Sequence, residues 1–402
     1  MKHIATWVLW KFRLFSLLAL GLVLAFPAYK GVWLGWVPVA LGLALAWWWM
    51  RGLGDAVETR CARRLTDRQF LAWVVGLSCA AQVVLVLALR PEAWSDGKFV
   101  VAEARALVDT GRLSPLTYYP PLQTWWYALF FKFLGSTNLV AQLSHVPAWA
   151  LCLVAAYAVA VRVGPPAAAR AVTLVLAAYP SLVLYVLTTP YYLYLYTAFG
   201  LLLTAAWLDS VAGRRCGPWG VGVWGAFSAL TKAVNLIAPA QALAASLLVS
   251  ERWWPRRTWK LWLLSALVFA GVLAPWVLRN TRVFGQPVLI CTSGGLVLYS
   301  ANNPESNGLY SSVPDEAHIE SAPEFLAYAR ACSGRAWTFI REQPGRFLRL
   351  VALKNLHTWG NEATFAELVN VRGRAVASLD LAVSFLAQLG WAFVAGLWAF
   401  RS

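Results

Sequence analysis

Charged residues are scarce in this sequence. Only 13% of its 402 residues are Asp, Glu, Lys or Arg, whereas 60% are hydrophobic and the mean hydropathy is +0.58. A soluble chain must cover its surface with polar side chains, so this composition excludes that class. Alternating polar and apolar patterns are missing, while apolar runs of about 16 to 24 residues recur. The sequence therefore predicts an all-α, polytopic transmembrane protein.

Acidic residues are fewer than basic ones. The chain has 18 Asp and Glu against 34 Lys and Arg, a formal net charge of +16. The basic residues lie in short loops between apolar runs rather than on one polar face. Orientation in the membrane and contact with anionic lipid explain that distribution better than nucleic acid does.

Several cofactor signatures are also missing. The six Cys residues form no CxxC or Cys/His metal pattern, and neither a Walker loop nor a dinucleotide fingerprint is present. A nucleotide sugar bound in a Rossmann domain is therefore not expected as a donor. We expect no cofactor, and the pattern does not call for a divalent metal, although it leaves one possible. Cys291 and Cys332 leave one disulfide open.

The apolar runs predict about ten membrane spans. They cover residues 14–28, 32–50, 70–89, 140–161, 169–187, 191–208, 218–233, 236–249, 261–278 and 381–400. Arginines crowd the loop 51–68, and basic residues recur at 214–215 and 252–260. The positive-inside rule makes these loops cytoplasmic, so two long connections, 90–139 and 279–380, are predicted outside.

Four regions follow from this layout. Residues 1–69 form a predicted helical hairpin anchor with a cytoplasmic loop, and residues 70–285 form a transmembrane catalytic core that contains the first outer loop, 90–139. Residues 286–380 form an outer loop with amphipathic helices, one of them over 323–348, and residues 381–402 form a last transmembrane helix.

The first outer loop carries the candidate chemistry. Residues 98–107 have the pattern of an amphipathic helix lying at the interface, which holds Asp96 at the membrane surface. A carboxylate there suits a transferase that removes a proton from an acceptor hydroxyl as that oxygen attacks a carrier-linked sugar. Asp96 is the candidate base, and the compatible alternative is a helix N-cap. Glu103 is a second candidate, with ordinary solvation as its alternative.

The stretch from Tyr118 to Pro121 predicts an extended turn followed by a new helix, because Pro is tolerated in a first helical turn. This turn should place Tyr118 and Tyr119 toward the same cavity as Asp96. Their rings suit stacking on a sugar or lining an isoprenoid groove, and anchoring at the interface is the alternative.

Three cations lie at the same predicted face. Arg279 and Arg282 follow the ninth run, and Lys232 ends the seventh. Cations there can stabilise a leaving phosphate. Lys232 near hydrocarbon needs a partner, for which a donor phosphate or Asp96 qualifies, or its side chain reaches water by snorkelling.

Three separated motifs resemble one family. They are an early Asp followed by ALVDTG and YPPL, the stretch FSALTKAVNLIAPA at 227–240, and APWVLRNTRVFGQPVLICTSGGLVLYSANNPESNGLY at 274–310. Together they resemble the GT-C superfamily of membrane glycosyltransferases, in its bacterial branch related to dolichyl-phosphate-mannose protein mannosyltransferases and lipid A aminoarabinose transferase. The resemblance covers about 94–359. Gly97 stands where relatives often carry a second carboxylate, and Tyr119 replaces a basic residue of the aminoarabinose branch.

The resemblance implies a GT-C-like fold and the transfer of a hexosyl or pentosyl group. It implies a polyprenyl-phosphate-linked sugar as the donor and leaves the acceptor undetermined. We expect the reaction in the plasma (inner) membrane, on its periplasmic side, with membrane lipid as a further partner and no nucleic acid. It also implies a polar contact to the sugar from Asn303, in the turn-rich loop. A flippase or transporter of an amphipathic lipid is the rival interpretation.

Overall fold

The computed structural model describes residues 65–93, 95–179, 182–183, 185–187, 191–249, 256–308 and 321–360. Within these ranges the regular structure is entirely helical. The fold class predicted from composition is therefore confirmed for the described part of the chain. The predicted spans at 14–28, 32–50 and 381–400 lie outside the described residues.

Thirteen α-helices make up the described fold, with short 3₁₀ segments at Tyr185–Leu187 and Ala233–Ile237. In chain order they are α1 (Asp67–Leu89), α2 (Ser95–Thr110), α3 (Pro121–Leu134), α4 (Asn138–Leu143), α5 (His145–Val163), α6 (Pro166–Ala178), α7 (Leu193–Val211), α8 (Gly217–Thr231), α9 (Ala238–Val249), α10 (Arg256–Phe284), α11 (Gly294–Ala301), α12 (Ala322–Glu342) and α13 (Pro344–Gly360).

Four described helical segments are long and apolar enough to cross a membrane. They are Asp67–Leu89, Asn138–Val163, Leu193–Val211 and Trp259–Phe284. The helices Pro166–Ala178 and Ala233–Leu247 are apolar but shorter. The count of about ten spans is thus not confirmed, although each predicted run between residues 70 and 278 contains a described helix.

Prolines account for two differences from the predicted boundaries. The run 169–187 was expected to be one span, but α6 ends at Ala178, shortly before Pro180. The amphipathic stretch 323–348 was expected to be one helix, and it divides into α12 and α13 at Pro344. Proline removes a backbone donor and disfavours helix in the preceding residue, so a helix ends there.

Local signals start and end the helices around the candidate site. Thr66 caps α1 in a reciprocal capping box with Gln69. Pro121 occupies the first turn of α3, as expected, and Gly135 ends that helix with φ +93°, a conformation that favours glycine. Asp96 lies within the first turn of α2, where a carboxylate is favoured by the helix dipole.

Ion pairs mark one end of the helix bundle. Asp209 near the end of α7 binds Arg162 and Arg214, each at 2.8 Å, and Asp67 at the start of α1 binds Arg170 at 2.6 Å. The hydrogen bond from Gln82 to Tyr194 joins the last part of α1 to the start of α7. α1 and α7 therefore run antiparallel, α5 and α7 run parallel, and Tyr191 and Tyr192, which precede α7, lie at the end opposite these ion pairs.

Candidate functional site

Asp96 is exposed and lies between two tyrosine hydroxyls. Tyr119 donates a hydrogen bond to Oδ1 of Asp96 at 3.1 Å, and the hydroxyl of Tyr191 also hydrogen-bonds this carboxylate. The rings of Tyr119 and Tyr191 meet edge to face, 6.2 Å apart. Burial, followed by the neighbouring Tyr192 and Asp96, raises the pKa of Tyr191, so its hydroxyl keeps its proton as a donor.

A row of tyrosine side chains connects Asp96 to the ammonium of Lys232. The rings of Tyr191 and Tyr192 are 4.0 Å apart, and Nζ of Lys232 donates to the Tyr192 hydroxyl at 2.6 Å. The ammonium also lies 4.5 Å above the Tyr192 ring. We call Tyr119, Tyr191 and Tyr192 the tyrosine bridge. It places the carboxylate of Asp96 and the ammonium of Lys232 at two ends of one aromatic surface.

Glu103 lies deeper on the same helix face as Asp96. It follows Asp96 by seven residues, nearly two turns or about 10 Å along α2. Its Oε2 accepts from the Thr124 hydroxyl at 3.2 Å, and its carboxylate also accepts from the backbone N–H of Ser114. Burial is the largest influence and raises the pKa of Glu103, while these hydrogen bonds and the charge of Arg279 oppose that shift.

Arg279 holds the backbone of the same segment from α10. Its guanidinium donates to the carbonyl of Ser114 at 2.8 Å and to the hydroxyl of Thr117, and it lies 5.1 Å from the centre of the Trp276 ring. Ser114 thus gives its N–H to Glu103 and its C=O to Arg279. We call residues 113–117 with these two side chains the loop clamp. Tyr119 lies two residues after this segment.

The remaining candidates take separate positions. Tyr118 packs edge-on against Tyr119 at 4.7 Å and reaches Phe325 of α12 at 5.8 Å, so it links the tyrosine bridge to that helix. Arg282 is exposed, and within the described residues it has no hydrogen bond or ion pair. Asn303 is buried and closes a turn, donating to the Tyr299 carbonyl at 2.9 Å and accepting from the Glu305 N–H at 2.8 Å.

The structure therefore brings several sequence-predicted residues together. Asp96, Tyr119 and Lys232 share the tyrosine bridge, while Glu103 and Arg279 share the loop clamp. Tyr191 and Tyr192 were missed, because they were assigned to the start of a membrane span. The sequence signal that could have identified them is the high density of tyrosines at the N-terminal end of this predicted span, in Tyr191-Tyr192-Leu193-Tyr194-Leu195-Tyr196.

The described residues contain no group of three or more His, Cys, Asp or Glu side chains that could hold a metal ion. No disulfide joins Cys291 and Cys332, so the pairing left open by the sequence is not formed between these two described residues. The site's ionic chemistry within the described residues rests on carboxylates and cationic side chains.

No protein-family model matches the sequence, and no curated protein matches it. Among solved structures, the crystal structure of ArnT from Cupriavidus metallidurans bound to undecaprenyl phosphate is similar to this chain, with a TM-score of 0.45 and 17% sequence identity. The similarity covers 84% of this chain and 61% of the other, so this chain spans about three fifths of that protein's length. A likeness at this level assigns neither a family nor an activity.

Proposed function

We propose that this protein is a GT-C-type membrane glycosyltransferase, which moves a sugar from a polyprenyl-phosphate carrier to an acceptor hydroxyl. The tyrosine bridge is the observation that carries this proposal. It holds a carboxylate and an ammonium at one end of an apolar bundle, where a lipid-linked phosphate would meet the water phase. The three sequence motifs that resemble this superfamily support the same reaction.

Each part of the site has a role in the proposed step. Asp96 removes the proton of the acceptor hydroxyl while the acceptor oxygen forms a bond to the anomeric carbon. The bond from that carbon to the carrier's phosphate oxygen breaks, and the phosphate leaves with the electron pair. Lys232 neutralises the phosphate: an ammonium has three N–H donors, and its described side-chain hydrogen bond to Tyr192 uses one. The exposed Arg282 provides a second cation.

The other candidates have supporting roles in this proposal. Tyr119 keeps the Asp96 carboxylate in place, and the exposed faces of the aromatic rings suit the apolar face of a sugar. A contact from Arg279 to the phosphate stays a prediction. In the structure the guanidinium of Arg279 donates to Ser114 and Thr117 of the loop clamp. Asn303 stays a predicted sugar contact. The step uses no metal and no cofactor.

We also propose that the site lies on the periplasmic side of the inner membrane. The arginine-rich loop 51–68 and Arg214–Arg215 are short basic connections, which the positive-inside rule assigns to the cytoplasm. Arg214 lies at the end of the bundle that holds the Asp209 ion pairs, opposite Asp96. Lys98→Cys in a cysteine-free background tests this orientation, since Lys98 is exposed on α2. An impermeant thiol reagent should label it in spheroplasts, and protection would place the site inside.

The reaction is tested with membranes that contain wild-type or variant protein and a radiolabelled polyprenyl-phosphate sugar. Wild-type protein should pass label to an acceptor fraction, and Asp96→Asn should lower transfer by about 10²-fold or more, because a general base contributes at this scale. Asp109→Asn is the matched control, since Asp109 is an exposed acid on the same helix. Undiminished transfer by Asp96→Asn would remove Asp96 from the mechanism.

The rival function, lipid translocation, predicts a different charge distribution. Transporters usually place ionisable groups near the bilayer midplane. In the described helices long enough to span, the ion pairs of Asp67 and Asp209 lie near one end and Arg279 lies near the other. Proteoliposomes that flip a labelled carrier lipid, while transferring no sugar, would favour translocation.

A further inference from the structure

A narrow void borders the tyrosine bridge. Tyr191 forms one wall of it, and the other walls include Gln123 and Trp126 of α3, His145 of α5 and Tyr194 of α7. The gap between these side chains is too narrow for a water-sized sphere as the side chains stand. The void thus shares Tyr191 with the Asp96 site.

Two buried polar atoms of this wall lack hydrogen-bond partners. Gln123 is 4% exposed and His145 is 2% exposed. Within the part of the chain that the structure describes, Oε1 of Gln123 and Nδ1 of His145 make no hydrogen bond. Buried polar atoms are nearly always paired, because an unpaired one is unfavourable for folding. Packing alone does not explain why two unpaired buried polar atoms belong to residues that line the same void.

The hydrogen bonds around Tyr127 determine whether Oε1 of Gln123 and Nδ1 of His145 act as donor or acceptor. The Gln123 amide hydrogen-bonds the Tyr127 hydroxyl, and because Oε1 has no partner, the amide N–H is the donor. The Tyr127 hydroxyl still has its own proton to donate, and we assign Nε2 of His145, 2.7 Å away, as its acceptor. A neutral imidazole that accepts at Nε2 carries its hydrogen on Nδ1. Gln123 therefore offers an acceptor and His145 a donor.

We propose that this void is a subsite for one hydroxyl group of the transferred sugar. A hydroxyl both donates and accepts, so it satisfies Oε1 of Gln123 and Nδ1–H of His145 together. The inference rests on the proposed function and names the part of the substrate that the site recognises. Rotation of the half-buried Tyr191, which hydrogen-bonds Asp96, opens the void toward the reacting groups. The aromatic walls suit the carbon skeleton beside that hydroxyl.

Gln123→Met separates this role from a structural one. Methionine nearly conserves the side-chain volume and removes both the unpaired Oε1 acceptor and the amide N–H that donates to Tyr127, while Tyr127 keeps its bond to His145. Loss of the unpaired acceptor and loss of the bond to Tyr127 act on stability in opposite directions, so the midpoint of thermal unfolding in detergent should change little. Sugar transfer per folded molecule should fall at least about tenfold in kcat/KM, because the hydroxyl loses a buried partner.

A set of carrier-linked monodeoxy sugars identifies the recognised hydroxyl. With wild-type protein, one member of the set should be transferred at least about tenfold more slowly than the parent sugar, and Gln123→Met should abolish that difference. Gln142→Met is the matched control, because Gln142 is a buried glutamine of the same bundle and does not line the void. It should leave discrimination among the sugars unchanged.

Two outcomes overturn the subsite while leaving the proposed function intact. Unchanged transfer by Gln123→Met would show that the void takes no part. Equal losses for every deoxy sugar in both proteins would also remove it. A wild-type protein that transfers no sugar from any carrier overturns the proposed function itself.

Discussion

The loop clamp makes Arg279 a decisive residue for both stability and catalysis. Arg279→Gln removes a guanidinium that donates to the Ser114 carbonyl, the Thr117 hydroxyl and the Asn280 side chain. Thr117 is 3% exposed and has a left-handed backbone with φ +49°, so it depends on its surroundings to keep that conformation.

The magnitude follows from those contacts. A hydrogen bond from a charged donor contributes about 1.5–3 kcal/mol, and the amide of glutamine can restore at most part of the set. We expect Arg279→Gln to lower the free energy of unfolding by about 2–4 kcal/mol. Arg279→Lys should lose less, because one ammonium can still reach one carbonyl. Chemical denaturation in mixed micelles measures both variants.

Catalysis should change in a way that identifies the role of Arg279. A loosened clamp displaces Tyr119 and, through it, the Asp96 carboxylate, so kcat should fall about tenfold or more while KM for the carrier changes little. A direct phosphate contact would instead raise KM. Arg282→Gln is the control, since this exposed neighbour should alter stability by less than about 0.5 kcal/mol. An Arg279→Gln protein as stable as the wild type would refute the loop clamp.

Three further predictions concern the same site. Burial raises the pKa of Glu103, so the folded protein binds a proton at this carboxylate more tightly than the unfolded chain does. The free energy of unfolding should therefore rise as the pH falls through that raised pKa toward about 4.3, the value in the unfolded chain. Thermal unfolding of wild-type and Glu103→Gln protein between pH 8 and pH 5 tests this, and the variant should lack the rise. Lys232→Gln should raise KM for the carrier about tenfold or more in steady-state assays, whereas Lys232→Arg should keep much of the affinity. An unchanged KM in Lys232→Gln would show that Lys232 does not bind the phosphate. Incubation with EDTA should leave transfer rates unchanged, and restoration of lost activity by Mg²⁺ or Mn²⁺ would contradict the metal-free step.

Part of the site was readable because its signals are local. The Tyr118–Pro121 stretch predicts a turn followed by a helix, and α3 begins at Pro121 as expected. The amphipathic pattern of 98–107 likewise corresponds to α2, which carries Asp96 in its first turn. Asp96 and Lys232 became candidates from their predicted place at the outer face, and the family resemblance added an order of motifs along the chain.

The sequence by itself determined that the chain lies in a membrane, that it is helical and which residue types are available for chemistry. These properties depend on hydropathy and proline positions, which act within one helix length. Only the tertiary structure decided which of those residues meet. Arg279 binds Thr117 across 162 residues of chain, and no local pattern reports such a contact. The same holds for Tyr191 beside Asp96 and for the void between Gln123 and His145. Those contacts depend on how separate helices pack, and packing is a property of the whole bundle.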